Sequence, residues 1–367
     1  MDSEKDNLRL KTMKADEERF QQGDIKFSGT KAHSPETIGD TIADTIAETI
    51  GQMAVQALRI EAALTPKPGL VDQENSGAHD DMDYPLFLAS SAALLPCFTA
   101  CAKIGMQSGK KKPAQLTSAL RRAGRCGETA MYAATRGVNS HKGAIFSMGI
   151  LCCAVGMLQA APAAADAASI GAAIGQNAGK LRHSESSVDM TRDKGEFAPL
   201  QDSRQAAGFH ETELQALCAK LSAALLRQDP AAATHGLYAR GHAACGGVRA
   251  EARSGFASAF QTGLPVLREA IASGIPQQRA LIKTLLVLMS RVEDSNAAYR
   301  GGAEGLDFIR SKAQHILSRA DWQTEECLDM VRDFDRACIR RHLSPGGSAD
   351  LLAFSIMLYM IFDEVLQ

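Results

Sequence analysis

The residues able to do chemistry fall in short polar stretches between long apolar ones. The densest is residues 65–83, TPKPGLVDQENSGAHDDMD. Pro66 and Pro68 keep the backbone around Lys67 extended, and Gly69 and Gly77 permit turns or close approach by a ligand. Asp72, Asp80, Asp81 and Asp83 crowd the same stretch. Asp81 and Asp83 are too close in sequence to share a helix face. On irregular backbone, however, both can turn toward one ion, and Mg²⁺ takes carboxylate oxygens together with waters and phosphates. His79 beside them can move a proton near neutral pH. The plain alternative is a capped loop, with one Asp closing the helix expected from Tyr84.

Four later stretches carry related signals. GVNSHKG (137–143) places Gly-rich backbone and Lys142 ahead of a helix, whose free N–H groups and positive dipole end suit an anion. Glu128, upstream on an expected helix, is a further candidate metal ligand. The GxxxxGK[ST] phosphate loop is absent. GGVRAEARSGF (246–256) clusters Arg249, Glu251 and Arg253 just inside a helix start, and Arg forks match phosphate geometry. EDSNAAYRGG (293–302) sets Asp294 and Asn296 after an apolar helix and Arg300 before paired glycines. LSPGGSADLLAF (343–354) holds a turn from Ser344 through Gly346 and Gly347 to Ser348 whose N–H groups can form an anion nest. Asp350 follows, placed to cap or to bind metal. Each stretch alone is a weak signal, because Gly-bounded turns are common. Together they repeat cations and carboxylates at helix N-termini, as a polyphosphate–Mg²⁺ site requires.

Helices must position these residues. Ser34–Pro35 suits a helix start, and Ile38, Ile42, Ile46 and Ile50 then recur four apart as one stripe. Helical patterns recur near 84–106, 113–135, 143–160, 211–227, 230–241, 248–272, 277–292, 303–319, 323–342 and 348–365. No segment alternates with period two as a half-buried strand does. The expectation is an all-α protein, one multi-helix orthogonal bundle over 34–367. A charged, disordered tail is expected over 1–33 and a polar surface insertion near 183–208.

Composition narrows the function classes. A chain of 367 residues that is 45% hydrophobic can bury a sizeable core, and a net charge of −2 with 5% aromatics gives no nucleic-acid signature. The nine Cys are scattered without paired CxxC spacing, as reduced thiols of a cytoplasmic protein are. The N-terminus has no apolar run of secretory type. Residues 143–165 carry no charge, but their Ala and Gly content and lack of an aromatic belt point to a buried core helix rather than a membrane span.

TPKPGLVD, NSGAHDDMD, GVNSHKGAIFSMGIL, VRAEARSGF, RGG and HLSPGGSADLL occur in this order. In them the chain resembles the triphosphoribosyl-dephospho-CoA synthases, over roughly residues 50–365. Departures are small. Ser140 stands where the family has Thr, Ala250 where it has Gly, Ser295 where it has Thr, and Ala130 where an acid is frequent. The resemblance implies an all-helical fold and one reaction: the 5-triphosphoribosyl group of ATP moves to the 2′-hydroxyl of 3′-dephospho-CoA, and adenine leaves. It implies Mg²⁺ as cofactor. The product would be the prosthetic-group precursor that a second transferase attaches to the acyl carrier subunit of citrate lyase or malonate decarboxylase. A homodimer is one assembly the residues leave open.

Carried onto this chain, the substrate-binding set is Lys67, Asn139, His141, Lys142, Arg249, Arg300, Ser344, Gly346, Gly347 and Ser348. The metal set is Asp81, Asp83, Glu128 and Asp294. His79 or Glu251 would be the base that takes the proton of the incoming hydroxyl, and an acid for the departing adenine is required but not identified. The competing expectation is a helical Mg²⁺-dependent nucleotide or ADP-ribosyl hydrolase that uses the same clamp and passes the ribosyl group to water.

Overall fold

A computed structural model describes residues 35–109, 111–160, 209–227 and 246–363. The tail expected over 1–33, the insertion near 183–208 and the helix near 230–241 lie outside the described residues. Backbone contacts group the chain into two units, Met1–Ile42 and Ala43–Gln367. The described part of the first is the opening of one helix, and the second holds every other described element.

Every regular element among the described residues is a helix, as the periodicity and the absence of alternating strands predict. In chain order they are α1 (Pro35–Ala63), α2 (Tyr84–Ala93), α3 (Leu95–Met106), α4 (Pro113–Ala134), α5 (Lys142–Gln159) and α6 (Glu211–Arg227). Then come α7 (Gly247–Arg253), a π turn (Ala259–Gly263), α8 (Leu264–Ala272), α9 (Gln277–Arg291), α10 (Ser295–Leu317), α11 (Glu326–Arg340) and α12 (Gly346–Phe362).

Three boundaries differ from the expectation, each for a local reason. The helix expected over 84–106 is two, broken at Leu94, because Pro96 in the first turn of α3 has no N–H to continue the ladder. The helix expected over 248–272 stops at Arg253, and Gly255 takes a left-handed turn (φ 69°) before the π segment. The stretch 293–302, read as a loop, is largely helix. Asp294 caps α10, which runs on through Arg300 and kinks at Gly302 (φ 63°, ψ −159°). The isoleucine stripe of α1 turns inward late, with Ile42 exposed and Ile50 buried.

The core is densest where α3 meets α5. A Cβ at Gly105 of α3 would sit 2.1 Å from the Cys153 carbonyl oxygen, and one at Gly156 of α5 would sit 2.2 Å from that of Ala102. Glycine therefore lets two helix backbones touch where any other residue would hold them apart. Ile150 through Val155 are at most 3% exposed, which bears out the buried-core reading over the described part of that segment, residues 143–160. By length and composition alone, residues 84–106 and 142–159 could cross a membrane, but the first is the broken pair α2–α3 and the second is this core helix. α12 is apolar around its circumference, as a buried helix is, and packs on α5, α8, α9 and α10. All eight cysteines among the described residues are free thiols.

Candidate active site

The N-terminal ends of α5, α7, α10 and α12 and the 65–83 loop surround one cavity of about 960 Å³. Of the residues expected at the site, all but Asp83 and Ser348 line it.

The 65–83 loop is held from within and by the helices around it. Asp72 accepts from the backbone N–H groups of Lys67 (3.0 Å), Glu74 (2.8 Å) and Asn75 (2.9 Å). Asp335 of α11 accepts from the Gly69 N–H at 2.8 Å and from Asn75 Nδ2 at 3.1 Å. Gly69 has φ 71°, and a Cβ there would lie 2.1 Å from the Leu343 carbonyl oxygen, so the loop seats directly against the turn before α12. The Thr65–Pro66 bond is cis.

Lys67 is 1% exposed, and its Nζ donates to the Glu61 carbonyl and to Glu61 Oε1, both at 2.7 Å. An ammonium has three protons to give. Lys67 is therefore a cavity-wall cation anchored to α1, with one proton left for a ligand.

His79 sits between two partners. Arg300 Nη2 lies 3.0 Å from Nδ1 and Ser344 Oγ lies 2.8 Å from Nε2. Guanidinium only donates, so Nδ1 accepts, and the Nε2–H of the neutral ring donates to Ser344. Burial, then Arg300, holds the His79 pKa below its ordinary value, against Asp81 at 3.7 Å. Arg300 also donates to the Ala78 carbonyl at 2.8 Å and so ties α10 to the loop.

His141 occupies the N-cap position of α5, and its side chain makes no capping bond there. Its Nδ1 lies 2.7 Å from Ser90 Oγ, its ring is edge-on to Phe87 with centroids 4.9 Å apart, and its Nε2 is enclosed without a partner among the described residues. Burial, with Lys67 second, pushes its pKa to about 3. It is a neutral polar wall residue and supplies no charge for a phosphate. Lys142 pairs with Glu128 at 3.1 Å, so the expected metal ligand is shared with a cation. Asn139 and Arg249 lie on the cavity wall. Glu251 also lines it, but its Oε1 accepts from Ser258 Oγ at 2.6 Å and its Oε2 from the Ser258 N–H at 3.2 Å.

Two expected metal ligands have other partners. Asp83 is the N-cap of α2 and accepts from the Leu86 N–H at 2.9 Å, away from the cavity. Asp294 accepts from the N–H groups of Asn296 (3.0 Å) and Ala297 (3.1 Å) through Oδ1. Through Oδ2 it accepts from the N–H (2.7 Å) and hydroxyl (3.0 Å) of Ser348. A carboxylate has about four lone-pair sites, so Asp294 is saturated as the joint cap of α10 and α12. Ser348 accordingly serves that cap. The Gly346 and Gly347 N–H groups, at the start of α12, precede its first intrahelical bonds.

Reading the sequence missed Glu61, Asp335 and Ser90. Glu61 left a signal, being a lone acid in the apolar run QALRIEAAL. Asp335 left none, since its helix is charged throughout its exposed face. Asp350 was noticed only as a cap or ligand. It lines the cavity, and its Oδ2 would lie 2.0 Å from a Cβ at Gly143.

Residues 47–365 match the CitG family, described as ATP:dephospho-CoA triphosphoribosyl transferase. The chain is 38% identical over 309 residues to a Vibrio cholerae serotype O1 (strain M66-2) protein named probable 2-(5″-triphosphoribosyl)-3′-dephosphocoenzyme-A synthase, covering 84% of this chain and 87% of that one. It is 38% identical over 308 residues to the Pectobacterium atrosepticum 2-(5″-triphosphoribosyl)-3′-dephosphocoenzyme-A synthase, with the same coverage. A similarly named Albidiferax ferrireducens protein is 36% identical over 308 residues, 84% of this chain and 89% of that one. No solved structure matches the chain.

Proposed function

The chain belongs to the ATP:dephospho-CoA triphosphoribosyl transferase family, and on that premise we propose that it moves the triphosphoribosyl group of ATP to the 2′-hydroxyl of 3′-dephospho-CoA with loss of adenine. The observation that carries this reading is convergence. Motifs spread from Lys67 to Asp350 meet in one cavity of about 960 Å³. That is near the top of the range for a single-ligand pocket and suits a reaction that holds two nucleotides at once.

The reaction breaks the ribose C1′–N9 bond and leaves the phosphates intact, so the site must grip the triphosphate without attacking it. Lys142, Arg249, Arg300 and the open N–H groups of Gly346 and Gly347 are the donors for that grip. Acids outnumber Lys and Arg on the cavity lining, and a polyanion entering it needs added cations. Among the described residues no three His, Cys, Asp or Glu side chains cluster as a metal cage, so Mg²⁺ would enter with the phosphates. Asp81 and Glu128 would hold it, with waters and phosphate oxygens completing its shell, and its chemistry would be charge neutralisation of the triphosphate. The surrounding carboxylates stabilise the positive charge that develops at C1′ as the base departs.

His79 is the base. Its Nδ1 lone pair is covered by Arg300 at 3.0 Å, and a phosphate that draws Arg300 away would bare that nitrogen for the 2′-hydroxyl proton. Glu251, held by Ser258, is the second choice. We place the enzyme in the cytoplasm, where free thiols and nucleotide substrates coexist. Its product is assigned to a second transferase that charges the acyl carrier subunit of citrate lyase or malonate decarboxylase.

The test is to incubate the protein with ATP, Mg²⁺ and 3′-dephospho-CoA and measure free adenine and product mass. Adenine released only with dephospho-CoA, together with a triphosphoribosyl adduct, is the expected result. Adenine or ribosyl release without the acceptor would replace this reading with the hydrolase.

A further inference from the structure

We infer that Asp350 is the general acid that protonates the departing adenine, a role that rests on the transferase reading above. Loss of adenine as an anion is slow, so the reaction needs a proton donor on the leaving-group side, and none of the residues already placed supplies one. His141 is neutral and stays so far below pH 7. His79 gives its one proton to Ser344 and offers only a covered lone pair. Glu251 and Asp294 accept hydrogen bonds through both oxygens.

Asp350 differs from them all. Its side chain lines the cavity from the first turns of α12 and takes no hydrogen bond or ion pair from the described residues. It is lodged against the backbone of Gly143, in a space that only glycine leaves open, since a Cβ there would overlap Oδ2. The groups acting on it are Glu61 of α1 and Asp294 at the start of α10. Lys67 is tied to Glu61, and His141 and Lys142 precede Gly143 at the start of α5. The N-terminal end of α5 alone would favour the ionised carboxylate. Burial and the two neighbouring carboxylates outweigh it and hold the Asp350 pKa well above the usual carboxyl range. A carboxyl that faces a nucleotide-sized cavity with no partner among the described residues, and whose pKa is raised, is placed to donate a proton.

The step balances. The C1′–N9 bond breaks and its electron pair goes to adenine. The Asp350 proton moves to a ring nitrogen of the base. The 2′-oxygen of dephospho-CoA bonds to C1′, and its proton goes to His79. Asp350 is left as a carboxylate as positive charge develops at the ribose, so the acid becomes the stabilising anion in the same step. It is then reprotonated from solvent.

The experiment compares wild-type and Asp350→Asn protein on ATP and on 7-methyl-ATP, each with Mg²⁺ and dephospho-CoA. The 7-methyl purine is already cationic and leaves as a neutral base without protonation. Asn keeps the shape and cannot donate an acidic proton. The expected result is a loss of about 10²–10⁴-fold in turnover on ATP and a variant-to-wild-type ratio near one on 7-methyl-ATP. Equal loss on both substrates, or no loss on ATP, would overturn the role and leave the transferase reading standing. Absence of transfer from ATP by the wild type would overturn both. A second arm needs no variant. Wild-type turnover on ATP should fall as pH rises through the Asp350 pKa, and that limb should vanish on 7-methyl-ATP; a limb present on both substrates contradicts the assignment.

Discussion

The two ends of α5 touch their neighbours at van der Waals limits, yet the contacts differ in kind. Toward its C-terminal half, Gly156 and the Cys153 carbonyl press on the backbone of α3 at Ala102 and Gly105, and the surroundings are apolar and closed. At its N-terminal end Gly143 meets the carboxyl of Asp350, and the surroundings are an open cavity with Lys67, His141 and Lys142 on its wall. In the seam, glycine lets backbone approach backbone and the gain is packing. At the cavity, glycine lets an acid sit on a helix N-terminus and the gain is chemistry. A substitution that adds one methyl group should therefore have separable consequences: stability at one end, turnover at the other.

The largest expected effect tests the cavity wall where it is also structural. Glu61→Ala leaves the Lys67 ammonium buried and unpaired, and breaking such a pair from one side costs about 3–5 kcal/mol. Denaturant unfolding measures this, and Lys67→Met added to Glu61→Ala should recover most of the loss. A single variant that unfolds at the wild-type midpoint would show that the pair anchors nothing.

Next comes Gly143→Ala. The new methyl would meet Asp350 Oδ2 and push the carboxyl off its seat, and a shift of about 1 Å at a reacting group costs about 10²-fold in rate. Adenine release should fall by about that factor with the melting temperature little changed. A large drop in melting temperature with retained turnover would place Gly143 with the seam instead.

Gly105→Ala is the mirror experiment. Its methyl would meet the Cys153 carbonyl, and overpacking of this kind costs about 1–3 kcal/mol. Turnover per folded molecule should hold. The smallest effect is Asp83→Ala, which removes the α2 cap at a cost of about 1 kcal/mol and leaves the Mg²⁺ requirement for turnover unchanged. A raised requirement would return Asp83 to the cavity.

The same half-buried carboxyl links stability to pH, in the sense opposite to a salt-bridged Asp. With its folded pKa raised well above that of an ordinary aspartate, Asp350 binds more protons folded than unfolded. Stability from this group is therefore full below pH ~4 and declines as pH rises toward the folded pKa. Asp350→Asn should melt no lower than wild type at neutral pH, and its stability should be less dependent on pH, as differential scanning over a pH series would record.

Much of this was legible in the chain. Ala- and Leu-rich periodic segments set the helices, and Gly, Pro and Asp placed most ends within a residue or two, as at Pro113, Glu211 and Gln277. Failures came where one residue has a non-local partner. The stretch before the paired glycines at 301–302 read as loop, but Asp294, held also by Ser348 of α12, caps a helical stretch there, and helical geometry breaks only at Gly302. Asp81 and Asp83 looked like a ligand pair, yet Asp83 faces the free N–H groups of α2.

Helical class and the gathering of polar residues at helix starts are properties of near neighbours, because periodicity, capping and turn chemistry act over a few residues. They could be read along the chain, and so could family membership, through motifs kept in order. Which carboxylates are already committed is a property of packing. Asp294 is saturated by donors on α10 and α12, Glu61 is joined to Lys67, and Asp350 is lodged bare against Gly143. Asp294 and Asp350 owe these fates to atoms from chain segments far apart in sequence. The energies of burial and charge that set an acid's protonation exist once those segments are packed together.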